Sequence, residues 1–540
     1  MRIPCQRLTR SADKKLLVIA SNAHLQVADL GNGQIISTHV SDPKSPNHTN
    51  GSHSGLIRLM AIHQQKIEST GQTRSLLIST GEDKLLNTWE LPELRLLQSR
   101  ALSKRATALL ISPNGKHIVI GDKSGDIYNL PIEGSENLVF ASDPDEELKE
   151  STPEKTTKDQ PTKPTIALAP IGGHVSILTS LTFIPIQPTP LLVSADRDEH
   201  VRLSRYPNAW SIESFLLGHQ RFVGALLWVP DNSGQTGVLI SGGGDDEIYV
   251  WDVKEAKLKQ KIFVKGLSAG LKVQPEKEAW FIKSRKNQKR QQNKVENGEA
   301  KVPVKIGAPC DPPTADKSTK PTENQKADEP SEACTEKKPI SPEMCINNMI
   351  CTSGAKADDE RYVIVSSVGS SVVAVLSVSS ILSPTGDNSV EVRYHDFNLP
   401  VLDMVDTSNH ELLVSVDQSH KTEQNLEPKG SLRGLVINQD RISESQTIIS
   451  GLDNLNTNCS IEESSTNPIP TSTILYPELL LFHKGPQPFD REDGQNDDTN
   501  KPPPMKKNKQ TPNQNGKGKK KEGRMLSNQR VGDLLQSKTT

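Results

Sequence analysis

Short strands of alternating apolar and polar residues recur along this chain, and each is followed by a polar turn and a second strand of the same kind. The clearest first strands are LLIST (76–80), HIVIGD (117–122), LLVSAD (191–196), VLISGG (238–243) and YVIVSS (362–367). A period of two residues is typical of a half-buried antiparallel ribbon. The pattern therefore predicts an all-β protein built from repeated hairpins.

The hairpins share one register, which becomes visible when they are aligned on the residue that ends the second strand. In the three clearest copies, an Asp in the turn stands six positions before that residue. The pairs are Asp83 and Trp89, Asp198 and Ser204, and Asp245 and Trp251. Two weaker copies have Ser124 before Leu130 and Ser370 before Leu376 at the same spacing. Repeated hairpins favour a closed radial array, which leaves no long unpaired edge, and this register is typical of a WD-repeat β-propeller.

The Asp and His positions of the repeat have a structural interpretation. A His on the connection before a blade can bridge to the turn Asp, which satisfies buried polar groups and sets the blade geometry. We assign this role to His174, His219, Asp83, Asp198 and Asp245. No second His or carboxylate stands beside them at the spacing of metal ligands, so a catalytic or metal role is the weaker interpretation.

The repeats predict seven blades. The first six are expected at 12–40, 55–100, 103–133, 171–215, 216–264 and 350–383. The seventh combines 399–417 with 434–438 and is expected to close against the N-terminal strand. Residues 473–483 (TILYPELLLFH) are expected to form either a further strand or a docked segment.

The chain is much longer than seven blades require. Blades of about 40–45 residues need far fewer than the 540 residues present, of which only 33% are hydrophobic. We therefore expect a propeller over 1–485 with disordered insertions at about 134–165, 284–345 and 418–470, followed by a disordered basic tail over 486–540.

Charge, cysteine spacing and hydropathy limit the partners and the cellular compartment that the sequence predicts. The net charge of −2 is unlike that of a dedicated nucleic-acid binder, and the six cysteines show no CxxC spacing. The sequence shows no membrane span and no apolar signal-peptide core, so we expect an intracellular protein without a membrane partner. The lysine cluster between 506 and 521 predicts either a nuclear-localisation or RNA-adhering tail or a merely solvated one, and we expect a nuclear location.

No catalytic constellation is present in the sequence. It lacks a GxSxG elbow, a Walker-type phosphate loop and an HExxH motif. The run Gly242–Gly244 precedes the Asp of a blade turn and does not join a strand to a helix, which disfavours a phosphate site. We expect a binding platform with no catalytic residues, no cofactor and no metal of its own.

Two segments carry a specific family resemblance. Residues 195–204 (ADRDEHVRLS) and 212–223 (IESFLLGHQRFV) resemble the non-catalytic WD-repeat subunit of the tRNA (guanine-N(7)-)-methyltransferase. The resemblance implies that the propeller holds a separate catalytic subunit, which binds S-adenosylmethionine and forms N(7)-methylguanosine in the tRNA variable loop. It also implies that tRNA is reached mainly through the complex.

The resemblance further implies a partner-binding residue. Arg202 occupies the basic position expected to pair with an acidic residue of the catalytic subunit, and His200, Arg197 and Arg205 are further candidates. Strand alternation is compatible with this, because His200, Arg202 and Ser204 project to one side of their strand. A guanidinium on that side can bind a carboxylate through two hydrogen bonds.

Two alternatives stay open at this point. Arg202 could instead form a surface ion pair with Glu199 or Asp198, which would contribute little to stability. The whole chain could be a general WD-repeat scaffold, such as a ubiquitin-ligase substrate receptor or a chromatin adaptor. A free-standing RNA-binding propeller is disfavoured by the near-neutral charge and the 4% aromatic content.

Overall fold

The computed structural model of the chain describes most of the predicted repeat region. The described residues are 4–41, 51–66, 71, 73–134, 137–140, 165–186, 188–231, 234, 236–273, 344–352, 360–383, 390–408, 411–420, 430–445, 451–459 and 475–476. Within them the chain forms seven four-stranded antiparallel sheets and one two-stranded parallel sheet. These seven sheets are the blades of a β-propeller, which confirms the predicted fold class and number of blades.

Each of the first two blades uses four consecutive strands. Blade 1 contains β1 (Arg7–Arg10), β2 (Leu16–Ser21), β3 (His24–Asp29) and β4 (Ile35–His39). Blade 2 contains β5 (Ile57–Lys66), β6 (Thr73–Gly81), β7 (Leu85–Leu91) and β8 (Arg95–Ala101).

Blade 3 departs from the prediction at its outer edge. Its strands are β9 (Ala106–Ile111), β10 (His117–Asp122), β11 (Asp126–Pro131) and, after the parallel pair β12 (Asn137–Phe140) and β13 (Thr165–Leu168), β14 (Gly172–Gly173). The predicted limit at 133 was therefore wrong for the fourth strand, and 172–173 belong to blade 3 instead of opening blade 4. A strand of two glycines has no apolar alternation that a pattern can detect.

The remaining blades again use consecutive strands. Blade 4 contains β15 (Leu178–Ile184), β16 (Leu191–Asp196), β17 (Val201–Arg205) and β18 (Ile212–Leu216). Blade 5 contains β19 (Val223–Pro230), β20 (Gly237–Gly243), β21 (Glu247–Asp252) and β22 (Lys257–Phe263), followed by the one-turn helix α1 (Gly266–Ala269). Blade 6 contains β23 (Ile346–Cys351), β24 (Tyr362–Ser367), β25 (Val372–Ser377) and β26 (Val392–Asp396), with α2 (Val378–Leu382) before its last strand. Blade 7 contains β27 (Val401–Ser408), β28 (Glu411–Val416), β29 (Leu432–Ile437) and β30 (Ile442–Ser445), and α3 (Leu452–Asn458) follows it.

The predicted insertion at 418–470 was too wide. Strand β29 lies within it where a strand was predicted at 434–438, but β30, helix α3 and a 3₁₀ turn at Gln418–His420 also lie within it. The outer strand β30 reads ISES and has too few apolar residues to stand out from polar sequence. The predicted insertions at 134–165 and 284–345 lie mostly outside the described residues, and the tail at 486–540 lies wholly outside them.

The ring closes between blade 7 and blade 1. The first strands of the blades neighbour one another in the order β1, β5, β9, β15, β19, β23, β27 and back to β1. At the closure, the Leu8 amide donates to Asp403 Oδ2 at 2.8 Å, and Arg10 Nη2 lies 2.6 Å from Asp406 Oδ1. Closure against the N-terminal strand is therefore confirmed, and no strand is exchanged between the two blades.

Helix α3 covers this seam from outside the sheets. Leu452 and Leu455 on the helix share a buried cluster with Leu8 and Leu17 of blade 1 and Leu413 of blade 7. Burial of apolar surface from both blades under one helix stabilises the closed ring. In the described residues, no helix has the length and apolar character needed to cross a membrane.

Candidate functional site

The turn between β16 and β17 positions the predicted site residues. Asp196 ends β16, and its Oδ1 accepts hydrogen bonds from the backbone amides of Asp198 at 2.8 Å and His200 at 3.0 Å. Glu199 adopts a left-handed conformation with φ of 73°, where blade 3 has Gly125 at φ of 99°. The turn is thus folded around the Asp196 carboxylate, with Arg197 and His200 at its surface.

A buried hydrogen-bonded group fixes this turn to the preceding connection. His174 Nδ1 lies 2.9 Å from Asp196 Oδ2, and His174 Nε2 lies 2.7 Å from Ser194 Oγ. The prediction that Asp198 is the His partner in blade 4 was wrong. Asp198 has the same spacing in the repeat alignment as the Asp residues of blades 2 and 5, but the side chain that reaches His174 belongs to Asp196, two residues earlier.

Blades 2 and 5 contain the same group with the Asp that the repeat predicted. His219 Nδ1 lies 2.7 Å from Asp245 Oδ2, and His53 Nδ1 lies 2.9 Å from Asp83 Oδ2. The structural interpretation of His174, His219, Asp83 and Asp245 is therefore confirmed. Sequence reasoning missed His53, because Ser52 and not Gly precedes it; its position four residues before β5 is the signal that could have found it.

The electrostatics of the group follow from burial and pairing. Burial lowers the pKa of His174 below its usual value, although Asp196 opposes this effect. Burial alone would raise the pKa of Asp196, but the hydrogen bonds from His174 and from the His200 amide hold it below its usual value. Asp196 is thus a stable carboxylate beneath the basic residues of the turn.

Arg202 lies on β17 beside this group and is only half-buried. One Nη1–H donates to Gly173 O at 2.6 Å, and the guanidinium lies 5.5 Å from the centre of the Phe215 ring. It does not pair with Asp198 or Glu199, the partners that the sequence left open. Its Nε is buried without a hydrogen-bond partner in the described residues, and burial lowers the pKa of the guanidinium. The side chain keeps its charge and has donors left for a carboxylate.

The structure brings together three of the four predicted residues. Arg197 Nε lies 3.7 Å from Asp198 Oδ1, and His200 Nδ1 lies 3.3 Å from Asp196 Oδ2 with 49% of its side chain exposed. Arg205 lies at the opposite end of β17, where it pairs with Glu213 on β18. Arg205 therefore does not share a surface with the other three.

An exposed apolar rim next to Arg202 escaped sequence reasoning. Val175, Phe215 and Leu217 have relative exposures of 105%, 42% and 66%. Val175 follows His174, Phe215 lies opposite Arg202 on β18, and Leu217 follows two residues later. The signal in the sequence was the pair of apolar residues at alternate positions along and just beyond the outermost strand, whose outer side faces solvent.

Together these residues form what we call the blade-4 patch: Arg197, His200, Arg202, Val175, Phe215 and Leu217. A half-buried guanidinium with apolar neighbours is typical of the centre of a protein–protein interface. Nothing in the patch pairs a nucleophile with a base, and no three His, Cys, Asp or Glu side chains converge as a metal site in the part of the chain that the structure describes. The patch can bind a carboxylate-bearing surface.

Comparison with known proteins yields one family and several relatives. The family model described as "tRNA methyltransferase TRM82 WD40 domain" matches residues 37–166 and 141–433. The non-catalytic tRNA (guanine-N(7)-)-methyltransferase subunit trm82 of Aspergillus fumigatus is 34% identical over 35% of this chain and 44% of its own length. The corresponding subunit TRM82 of Phaeosphaeria nodorum is 32% identical over 47% of this chain and 58% of its own length.

A third relative lies outside the fungi of the first two. The non-catalytic subunit wdr4 of Dictyostelium discoideum is 28% identical over 48% of this chain and 49% of its own length. The chain thus spans about half the length of the curated relatives that it matches.

Proposed function

The chain belongs to the tRNA methyltransferase TRM82 WD40-domain family, and from that premise we propose that it is the non-catalytic subunit of a heterodimeric tRNA (guanine-N(7)-)-methyltransferase. It binds and stabilises an S-adenosylmethionine-dependent catalytic subunit, which forms N(7)-methylguanosine in the tRNA variable loop. The observation that carries the proposal is the family match, which extends over 37–433 and so includes blades 2 to 6 and the first two strands of blade 7.

The blade-4 patch is the surface that we propose for the catalytic subunit. Arg202 meets an acidic side chain of the partner, with Arg197 and His200 beside it and the apolar rim excluding water around the pair. Support comes from the half-buried guanidinium, which has a single hydrogen bond in the described residues. Arg205 lies at the other end of its strand and contributes only if the interface extends there.

A binding titration of Arg202→Glu tests this site. Like charges across a desolvated interface cost a few kcal/mol, so affinity for the purified catalytic subunit should fall by about 100-fold or more. Arg95→Glu is the control, since it makes the same change of charge on blade 2, where Arg95 is exposed and pairs with Glu90. It should leave affinity unchanged. Unaltered affinity of Arg202→Glu would remove Arg202 from the interface.

A methyl-transfer assay tests the role itself. Unmodified tRNA is incubated with the Rossmann-fold methyltransferase of the same organism, with and without this chain, and guanine N(7) methylation is followed. Activity should require both chains. Arg202→Glu should raise the concentration of this chain needed for half-maximal activity without lowering the rate at saturation, because the chain supplies no catalytic group. Failure of the two chains to associate would favour the general scaffold instead.

The proposed location is the nucleus, supported by the basic sequence between 506 and 521. These residues lie outside the described part of the chain. Deletion of 486–540 should leave complex formation intact and reduce nuclear accumulation or tRNA affinity. Unchanged nuclear accumulation and tRNA affinity after that deletion would contradict a role for the tail.

A further inference from the structure

Two residues beyond the last blade lie at the central channel of the propeller. Leu475 and Tyr476 are described, and Tyr476 is only 3% exposed. Residues from the first strands of all seven blades line a channel cavity of about 340 Å³. Tyr476 borders a second, much smaller cavity that shares Arg7 and Arg58 with the channel. Tyr476 therefore sits at the mouth of the channel.

The walls around Tyr476 come from several blades and connections. The ring shares a buried apolar cluster with Phe222, Val273, Cys345 and Val368, and Leu475 and Leu402 pack against its edge. The small cavity beside Tyr476 measures about 20 Å³, which leaves room for no more than about one water molecule. The fit is close enough to select an aromatic side chain of this size.

A buried carboxylate recognises the phenol. The Tyr476 hydroxyl donates to Asp417 Oδ2 at 2.6 Å, and Asp417 is 1% exposed. The other oxygen, Oδ1, accepts from the Ser419 amide at 2.9 Å and from Ser419 Oγ at 2.7 Å. Burial and the neighbouring Asp417 raise the pKa of Tyr476, so the hydroxyl remains a donor. The site is thus built to accept one hydrogen bond from a neutral hydroxyl.

Leu475 and Tyr476 dock in the manner of a ligand. They belong to no sheet, and every blade has its four strands without them. In the described residues they make no backbone hydrogen bond to the propeller and are held by side-chain contacts. Of the two alternatives for 473–483, a further strand or a docked segment, the described residues Leu475 and Tyr476 fit the docked segment.

We propose that the channel mouth is a tyrosine-binding socket that the chain occupies with its own Leu475–Tyr476, and that the vacated socket binds a peptide carrying an aliphatic residue followed by tyrosine. The internal tyrosine belongs to the same chain and competes for the socket, so an external peptide binds only when the internal one is displaced. The proposal does not rest on the proposed function, since no residue of the blade-4 patch contributes to the socket.

The test uses the full chain and a fluorescent peptide of residues 472–478 (STILYPE). Tyr476→Ala should bind the peptide at least tenfold more tightly than the unaltered chain, because its socket is free. Replacing the peptide tyrosine by phenylalanine should weaken binding to this variant by about tenfold, the effect of one hydrogen bond to a charged group. Tyr394→Ala, which removes an exposed tyrosine on blade 6, is the matched control and should not bind.

Each other result contradicts the proposal. A folded Tyr476→Ala that binds the peptide no better than the unaltered chain, at peptide concentrations up to about 1 mM, would show that no socket is freed. Equal affinity for the tyrosine and phenylalanine peptides would show that the hydrogen bond to Asp417 does not contribute to binding. If Tyr476→Ala fails to fold, Tyr476→Phe replaces it, and absence of increased peptide binding to that variant would identify Tyr476 as a permanent part of the core.

Discussion

Blades 3 and 4 each have an aspartate at the end of the second strand, but the two carboxylates differ in their hydrogen-bond partners. Asp122 pairs with Ala106 across blade 3 as Asp196 pairs with Leu178 across blade 4. In both, Oδ1 accepts from the amides two and four residues later. The turns are therefore built alike, and any difference between the two carboxylates arises from their other oxygen.

That oxygen has a partner in only one of the two blades. His174, four residues before β15, meets Asp196 Oδ2, whereas Leu102 stands four residues before β9 and cannot donate. Asp122 Oδ2 is buried without a hydrogen-bond partner in the described residues. Burial raises the pKa of Asp122, while the hydrogen bonds of Asp196 lower its pKa in spite of burial. Without a His donor, and with Asp126 nearby, burial dominates and the pKa of Asp122 is raised.

The third strands of the two blades differ as well. Tyr128 pairs with Ile120 in blade 3 as Arg202 pairs with Ser194 in blade 4. Tyr128 is 6% exposed and belongs to the core, and burial raises its pKa to about 12. Blade 4 has a half-buried charge at this point. Equivalent positions thus support packing in blade 3 and leave a binding group at the surface of blade 4.

The largest expected effect is the difference in the free energy of unfolding between variants of Tyr128 and Arg202. Tyr128→Ala should lower the free energy of unfolding by about 3–4 kcal/mol, since it leaves a cavity in the core. Arg202→Ala should lower it by no more than about 1 kcal/mol, because only one hydrogen bond and a partly solvated ring contact are lost. Urea denaturation of both variants measures the difference. Equal losses would make Arg202 a structural residue and weaken its assignment to the interface.

His174→Ala should have an intermediate effect. It leaves Asp196 as a buried carboxylate without its main partner, which costs about 2–3 kcal/mol. His200→Ala is the control, because His200 is half-exposed and 3.3 Å from the same carboxylate, and it should cost less than about 0.5 kcal/mol. Thermal unfolding of the two variants gives the comparison, and similar losses for both would contradict the role assigned to His174.

Asp122→Asn should have the smallest effect on the free energy of unfolding, and it should stabilise the protein where the preceding substitutions destabilise it. Because the folded pKa of Asp122 is raised, its carboxylate costs stability above that pKa, and the cost disappears as the pH falls below the unfolded value near 3.9. The variant should be more stable than the unaltered chain by up to about 1 kcal/mol at pH 7, and the gain should shrink on acidification.

Asp196→Asn provides the contrast to that measurement. The folded pKa of Asp196 is lowered, so its contribution is present above the unfolded pKa and is lost as the pH falls through the folded pKa. This variant should be less stable than the unaltered chain at pH 7, and the difference should also shrink in acid. Melting curves from pH 7 down to about pH 2, which spans the unfolded pKa and lower values, decide the matter. A lower stability of Asp122→Asn than of Asp196→Asn at pH 7 would contradict the comparison.

Much of the architecture could be predicted from local patterns. Alternation in 191–205 and 238–251 marks paired strands, and the motif around Arg202 identifies the family. The limits of blade 3 and blade 7 could not be predicted, because Gly172–Gly173 and Ile442–Ser445 carry no apolar period. The predicted limits of blades 1 and 6 were also wrong, since they left out β1 and β26. The rim residues Phe215 and Leu217 were visible in the motif, but only solvent exposure distinguishes them from core residues.

The amino-acid sequence alone determined the repeat, the seven blades and the basic turn, because these depend on periodicity and on residues close together in the chain. Only the tertiary structure decided which aspartate meets His174, that Arg205 faces away from Arg202, and that Tyr476 fills a socket beside Asp417. Each of those features depends on contacts between residues distant in sequence or on a two-residue shift in a turn. Neither can be predicted from the spacing of residues along the chain.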